Sequence, residues 1–199
     1  MSARDAILAA IRRAAVPPAE LPDVAAIAAA AGEVPSDPVR RFIAMLKEVG
    51  GRAVELAGPD ELFGAVAVLP AVRAGRGIVS SVPELDVSIL TLGPDASRAQ
   101  LDAIELAIIP GLFGVAENAA IWVDEADLPH RAVPFAAQHL AIVLPKRDIV
   151  ADMHAAYARL PRPLPGYGVF ISGPSKTADI EQALVIGAQG PKSLVVLLV

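Results

Sequence analysis

Apolar positions along the chain fall into short runs bounded by glycine, proline and acidic residues, and these runs alternate with stretches of helical spacing. Ser2 followed by Ala6, Ile7, Ala10 and Ile11 predicts an N-capped amphipathic helix that Pro17-Pro18 must stop. Residues 16–38 carry five prolines and an alanine run, which reads as a linker holding at most one short helix. Asp37-Pro38 opens a helix through Val49, with Phe42, Ile43, Leu46 and Val49 on one face and Gly50-Gly51 ending it. Arg52–Leu56 predicts a strand, and Gly58-Pro59-Asp60-Glu61 starts a helix to about Leu69, with proline and acids in its first turn.

Strands are expected at Gly77–Ser80 and Val87–Leu92, separated by a turn at Pro83. Residues 101–109 satisfy both periods, helical through Leu101 and Ile104 and extended through Leu106–Ile109. After a turn over Gly111–Asn118 come strands at Ala119–Val123 and Leu140–Leu144, then a helix from Lys146 to Leu160. The chain continues with a strand over Gly168–Ile171, a helix over Ala178–Gly187 and a strand over Leu194–Val199. Six consecutive apolar residues in that last run fit a parallel strand buried on both faces. Repeated strand–helix alternation predicts a layered α/β fold with a mostly parallel sheet over residues 37–199, preceded by a helical extension and linker over residues 1–36.

Composition narrows the chemistry. The chain of 199 residues is 54% hydrophobic but 4% aromatic, so the core is expected to be aliphatic. A net charge of -5 argues against nucleic acid or an anionic membrane as the main partner, so any anion must be caught by a local site. With no cysteine, the chain can supply neither a disulfide nor thiolate ligands to zinc or an iron–sulfur cluster. The longest apolar run near the start, Val24–Ala31, is far short of the roughly 20 residues of a membrane span. The expectation is a cytoplasmic protein with no membrane span.

The strand-to-helix turn expected at Ile171–Glu181 is the best site candidate. Ser172, Gly173, Ser175, Lys176 and Thr177 would sit beside the free N–H groups and positive dipole end of the helix, a combination suited to phosphate or carboxylate. It would also follow the carboxyl end of a strand, where open α/β sheets place ligands. The plainer role for the same residues is a capped helix, with Thr177 as N-cap and Asp179 and Glu181 in the first turn. Glu117 is a candidate general base or carboxylate nucleophile, and Asn118 beside it can orient a carbonyl or simply favour the turn. His130, His139 and His154 show no metal-ligand spacing. His130-Arg131 can offer positive charge to an acidic substrate, whereas His154 is expected on a helix surface. Gly75 and Gly77 lack the third glycine of a dinucleotide fingerprint, leaving Arg73 and Arg76 in a solvated turn. Trp122 is expected to pack.

Three segments resemble one family. The run Ser172-Gly173-Pro174-Ser175-Lys176-Thr177-Ala178-Asp179-Ile180-Glu181, the turn Gly187-Ala188-Gln189-Gly190-Pro191 and the stretch Gly114-Val115-Ala116-Glu117-Asn118 are similar to segments of the lactate-utilisation C-subunit family, also called the LUD domain. Two places differ from that pattern: Asn118-Ala119 stands for threonine-glycine, and Gln189 for histidine. The resemblance implies a three-layer, Rossmann-like α/β fold of the kind found in the sugar-phosphate isomerase and CoA-transferase superfamily. It further implies a subunit of a complex of three cooperating proteins oxidising L-lactate to pyruvate, with iron–sulfur clusters on partner subunits; with the turn read above, the expectation is that this chain binds a small anionic ligand and no cofactor of its own. Other readings are an independent enzyme on a CoA thioester or sugar phosphate, and an organic-acid-binding module. Self-association stays open, because an aliphatic chain can bury leftover apolar surface against another copy.

Overall fold

The computed structural model of the chain describes residues 2–14, 20, 23, 36–161, 163, 166–178 and 184–199. Most of the expected linker (residues 15–19, 21–22 and 24–35) and residues 179–183 of the expected C-terminal helix lie outside the described residues. The chain divides into two compact units, residues 1–33 and 34–199. In the first, helix α1 (Ala3–Arg13) opens with a reciprocal capping box. The Asp5 N–H donates to Ser2 Oγ at 3.2 Å and the Ser2 N–H donates to the Asp5 carboxylate at 3.0 Å. The Ser2 hydroxyl, then its backbone N–H, hold the Asp5 carboxyl below the ordinary aspartate pKa.

The second unit begins with α2 (Pro38–Glu48), capped by Asp37, whose carboxylate accepts from the Arg40 N–H at 3.0 Å. Phe42 and Leu46, one turn apart, are fully buried on its inner face. There follow β1 (Arg52–Glu55), a 3₁₀ turn (Pro59–Glu61), α3 (Leu62–Ala67), α4 (Pro70–Ala74), β2 (Ile78–Ser80), α5 (Arg98–Asp102) and β3 (Leu106–Pro110). Next come β4 (Phe113–Val115), β5 (Ile121–Asp124), α6 (Val133–Ala136), β6 (His139–Leu144), β7 (Ile149–Val150) and α7 (Met153–Arg159). The chain ends with β8 (Gly168–Ile171), β9 (Lys176–Ala178), β10 (Leu184–Ile186) and β11 (Ser193–Leu198).

Five strands form a wholly parallel sheet in the order β1–β11–β6–β3–β2. Leu194 to Leu198 are all buried, because alternate residues of β11 face opposite covers. Leu194, Val196 and Leu198 pack with α2, α6 and a second sheet, whereas Val195 and Leu197 pack with α3 and α4. Each such aliphatic side chain contributes roughly 1.5–3 kcal/mol of burial. This is the Rossmann-like α/β layering expected, built around an aliphatic core. The second sheet, β7–β4–β5–β8, is mixed, and its outer face carries Phe113, Trp122 and Phe170 against α7. Trp122 is 4.8 Å from the Phe170 ring between centroids, so it packs as expected.

Several local expectations need correction. Residues 184–186 form a strand paired antiparallel with 176–178, so no helix spans Ala178–Gly187; β-branched Val185 and Ile186 opposite Thr177 and Lys176 suit a ribbon. The expected helix from Lys146 is a 3₁₀ turn, then the short strand β7, and only then α7, whose true start is the Asp152 cap accepting from the Ala155 N–H at 2.8 Å. Within the expected turn over Gly111–Asn118, Phe113–Val115 form β4. Val87–Leu92 make no strand beside β2, because the Ser88 hydroxyl takes the Ser80 N–H at 2.7 Å and interrupts the backbone ladder. The ambiguous 101–109 stretch divides, with Ser97 and Gln100 boxing the start of α5 and β3 taking Leu106–Pro110.

The indole of Trp122 lies directly over Gly168, leaving no room for a Cβ there. Gly168→Ala must displace that ring and is expected to cost about 1–3 kcal/mol. Urea unfolding followed by Trp122 fluorescence checks this, and an unchanged midpoint contradicts it.

Candidate functional site

The turn between β8 and β9 is held at Ser172, Gly173 and Ser175. Gly173 has φ +75°, and a Cβ on it would lie 2.5 Å from the Val49 carbonyl oxygen at the end of α2, so only glycine passes there. The Ser172 hydroxyl donates to the Asn118 carbonyl at 2.7 Å and thereby joins two of the segments singled out from the sequence. Asn118 Oδ1 in turn accepts from the Ala120 N–H at 3.0 Å, an Asx turn. Ala119 between them has φ +55°, an unusual left-handed conformation for a residue with a Cβ.

The Ser175 N–H donates to the Pro191 carbonyl and its own carbonyl accepts from the Gly187 N–H, both at 2.9 Å. These bonds bring Gly190 against Ser175 and Gln189 to the same cavity. Lys176 is exposed and runs beside Gly50, its Nζ 3.7 Å from where a Cβ of that glycine would be. Among the described residues no carboxylate pairs with it. The turn opens on a cavity of about 280 Å³ lined by Phe135, Phe170, Ser172, Lys176, Gln189 and Gly190.

Two expectations about this turn are overturned. Because a β-ribbon follows, Thr177 is a ladder residue paired with Val185 and not an N-cap, and the helix end that meets the turn is the carbonyl end of α2 at Val49. The turn does follow the carboxyl end of β8, but β8 belongs to the mixed sheet. Relative to the parallel sheet it sits at the amino end, since Pro191 leads directly into β11. What remains for an anion is the Lys176 ammonium, the Ser175 hydroxyl and the Gln189 amide, between two aromatic walls.

Glu117 points elsewhere. Its Oε2 accepts from the Met153 N–H at 3.0 Å, at the start of α7, and the residue is exposed and outside that cavity. His130 and Arg131 line a different cavity, of about 370 Å³, and His130 Nδ1 accepts from the Ala132 N–H at 3.1 Å. His154 is exposed on α7. Among the described residues no group of three or more histidines and acids is placed to hold a metal ion, and no helix is long and apolar enough to cross a membrane. Sequence reasoning missed Phe135 and Phe170 as cavity walls; Phe135 sits within α6, among the apolar residues 132–137, which carry no ligand signal of their own.

The sequence profile of the LUD domain matches residues 94–199, just over half of the chain and all of the turn's contacts except those to α2 and Gly50. The chain belongs to the LUD domain family. This LUD chain is 34% identical over 104 residues to lactate utilization protein C of Shouchella clausii, covering 48% of the chain and 45% of that protein. It is 29% identical over 118 residues to lactate utilization protein C of Geobacillus kaustophilus, covering 55% and 49%. The matched region thus spans about half the length of these curated relatives. In fold, the LUD chain resembles the crystal structure of a DUF162 family protein from Deinococcus radiodurans, with a TM-score of 0.58 at 20% identity over 82% of this chain and 96% of that one.

Gly173→Ala combines a strained φ with a clash against backbone, and is expected to cost about 2 kcal/mol or more in urea unfolding; a wild-type midpoint contradicts the tight turn. Near the His130 cavity, burial and then the neighbouring Asp124 charge raise the Asp127 pKa. A raised folded-state pKa means that the native state holds this proton more tightly than the unfolded chain, so stability falls as pH rises above the ordinary aspartate range. Asp127→Asn removes that penalty. Its melting temperature should exceed wild type at pH 7, with the gap closing towards about pH 4; a gap that widens on acidification contradicts the assignment.

Proposed function

We propose that this LUD chain is a cytoplasmic subunit of a system that oxidises L-lactate to pyruvate, and that residues 37–199 form its working body. The observation that carries the reading is the LUD match over residues 94–199 together with relatives named lactate utilization protein C. Converting lactate to pyruvate releases two electrons and two protons. A chain without cysteine has no thiolates to ligate an iron–sulfur acceptor, so the clusters belong to partner subunits.

The chain's own part is to hold a small organic anion at the Ser172–Lys176 turn. Lys176 supplies the positive charge, Ser175 and Gln189 supply neutral hydrogen bonds, and Phe135 and Phe170 restrict water. Glu117 in its observed place serves the α7 terminus, which favours binding over acyl transfer at this turn. An organic-acid-binding module that performs no chemistry is therefore the second reading.

The test is deletion of the gene in its own host, followed by complementation with tagged wild-type or Lys176→Ala chain during growth on L-lactate. Expected are loss of growth on deletion, co-purification of iron–sulfur proteins with the tagged wild type, and lactate-dependent reduction of an artificial acceptor by that material. Lys176→Ala should keep the partners and lower the activity about tenfold or more, the scale of one charge-assisted contact. Undiminished growth of the deletion strain on L-lactate overturns the role. Full activity of Lys176→Ala overturns the placement of the anion.

A further inference from the structure

A larger cavity, of about 530 Å³, opens on the other face of the parallel sheet, at the amino ends of its strands. Its floor follows from strand register. His139 pairs with both Ser193 and Leu106, and Arg52 pairs with Val195. Val195, Leu106 and the alternate residues Ala141 and Leu197 all belong to the cluster packed by α3 and α4. The period of two therefore aims Arg52, Ser193 and His139 at that same face. Helix α4 forms a wall through Pro70, Ala71 and Ala74, but the helical layer stops short of these first strand residues, and a pocket is left.

The lining is mostly apolar, through Leu69, Leu106 and Val195, with few polar groups, which is the make-up of a small-molecule site. His139 Nδ1 lies 2.7 Å from Ser193 Oγ, a contact that orients the imidazole on the sheet face that Arg52 shares. Neither Arg52 nor Arg76 forms an ion pair among the described residues. Glu105, the one acidic group among the described lining residues, lies between Gly77 and His139, its backbone carbonyl accepting from the His139 N–H at 2.9 Å. Arg52, on the face that Ser193 and His139 share, is thus without an acidic partner, and the Lys176 ammonium beside Gly50 adds a second positive charge at the same margin. In a chain of net charge -5, this is a local positive end on an apolar trough.

We propose that this cavity binds an aliphatic carboxylate longer than the three-carbon acids, with its head at Arg52, Ser193 and His139 and its tail along Leu69 and Leu106 towards the Arg76–Glu105 rim. An acid of three carbons leaves most of the trough unfilled, while each further buried methylene favours binding by about fourfold. Arg52, Leu69 and Arg76 precede the matched residues 94–199, whereas Leu106, His139 and Ser193 lie within them.

Hexanoate is the probe, titrated into the full chain while the ring signals of His130, His139 and His154 are followed by NMR. The His139 signals should shift saturably and the other two should stay still. Hexan-1-ol, which lacks the charge, and acetate, which lacks the tail, should each bind at least about tenfold more weakly. Arg52→Gln is an exposed substitution that breaks no ion pair, and should weaken hexanoate about tenfold or more. Ala74→Phe, which fills the trough from an exposed helical position, should abolish binding. The proposal is overturned by an unmoved His139 at millimolar hexanoate, by hexan-1-ol binding as well as hexanoate, or by wild-type affinity in Arg52→Gln.

Discussion

The six-residue parallel ladder between β6 and β11 is the constraint from which the rest of the structure hangs. Both strands are aliphatic on both faces, so both must be covered, and the two covers differ. Helices α3 and α4 take one side. The other is shared by α2, α6 and the inner face of the mixed sheet. Once β11 is fixed, the turn that leads into it is fixed as well. Lys192 donates its N–H to the Gln138 carbonyl, and Pro191 accepts from Ser175, so the Ser172–Lys176 turn is held by the start of the central strand rather than by a helix.

That arrangement explains the character of the candidate site. Its backbone polar groups are committed to holding shape: the Ser175 N–H to Pro191, the Ser175 carbonyl to Gly187, the Ser172 hydroxyl to Asn118. What faces the cavity is side-chain chemistry, chiefly one ammonium and one amide between aromatic rings. Ala119 marks the strain accepted nearby, with φ +55° where the resembling pattern carries glycine. The left-handed turn is kept because the Ser172 and Ala120 hydrogen bonds on either side demand it.

Much of the layering was legible in the residues. Strands buried on both faces announce themselves as unbroken aliphatic runs, which is why Leu140–Leu144 and Leu194–Val199 were placed to within a residue or so. The LUD resemblance likewise rested on contiguous residues that the fold keeps together, Asn118 with Ser172 and Ser175 with Gly190. Short pieces paired over long distances were not legible. β4 and β7, of three and two residues, exist because the mixed sheet offers them partners, and neither carries enough local pattern to declare itself. The β9–β10 ribbon defeated a helical reading built on Asp179, Glu181 and nearby alanine and leucine. Bonds from Ser175 to Gly187 and Pro191 fix both ends of that ribbon, and tertiary pairing outweighed local propensity. The grouping of Arg52, Ser193 and His139 was invisible for a related reason: residues far apart in sequence share one sheet face only through strand register.

The position of β11 also governs the order in which the molecule can be assembled. Among the described strands it follows all the others in sequence yet it lies between β1 and β6, so those two strands have no contact in the sheet until it arrives. While Ser193–Leu198 is still missing, β1 is an orphan edge and β6 offers a bare row of N–H and C=O groups to any passing strand. A chain on the ribosome therefore cannot close its sheet early, however well its earlier elements pair. Closure is a non-local event, of the kind that slows folding and prolongs the exposure of unpaired edges.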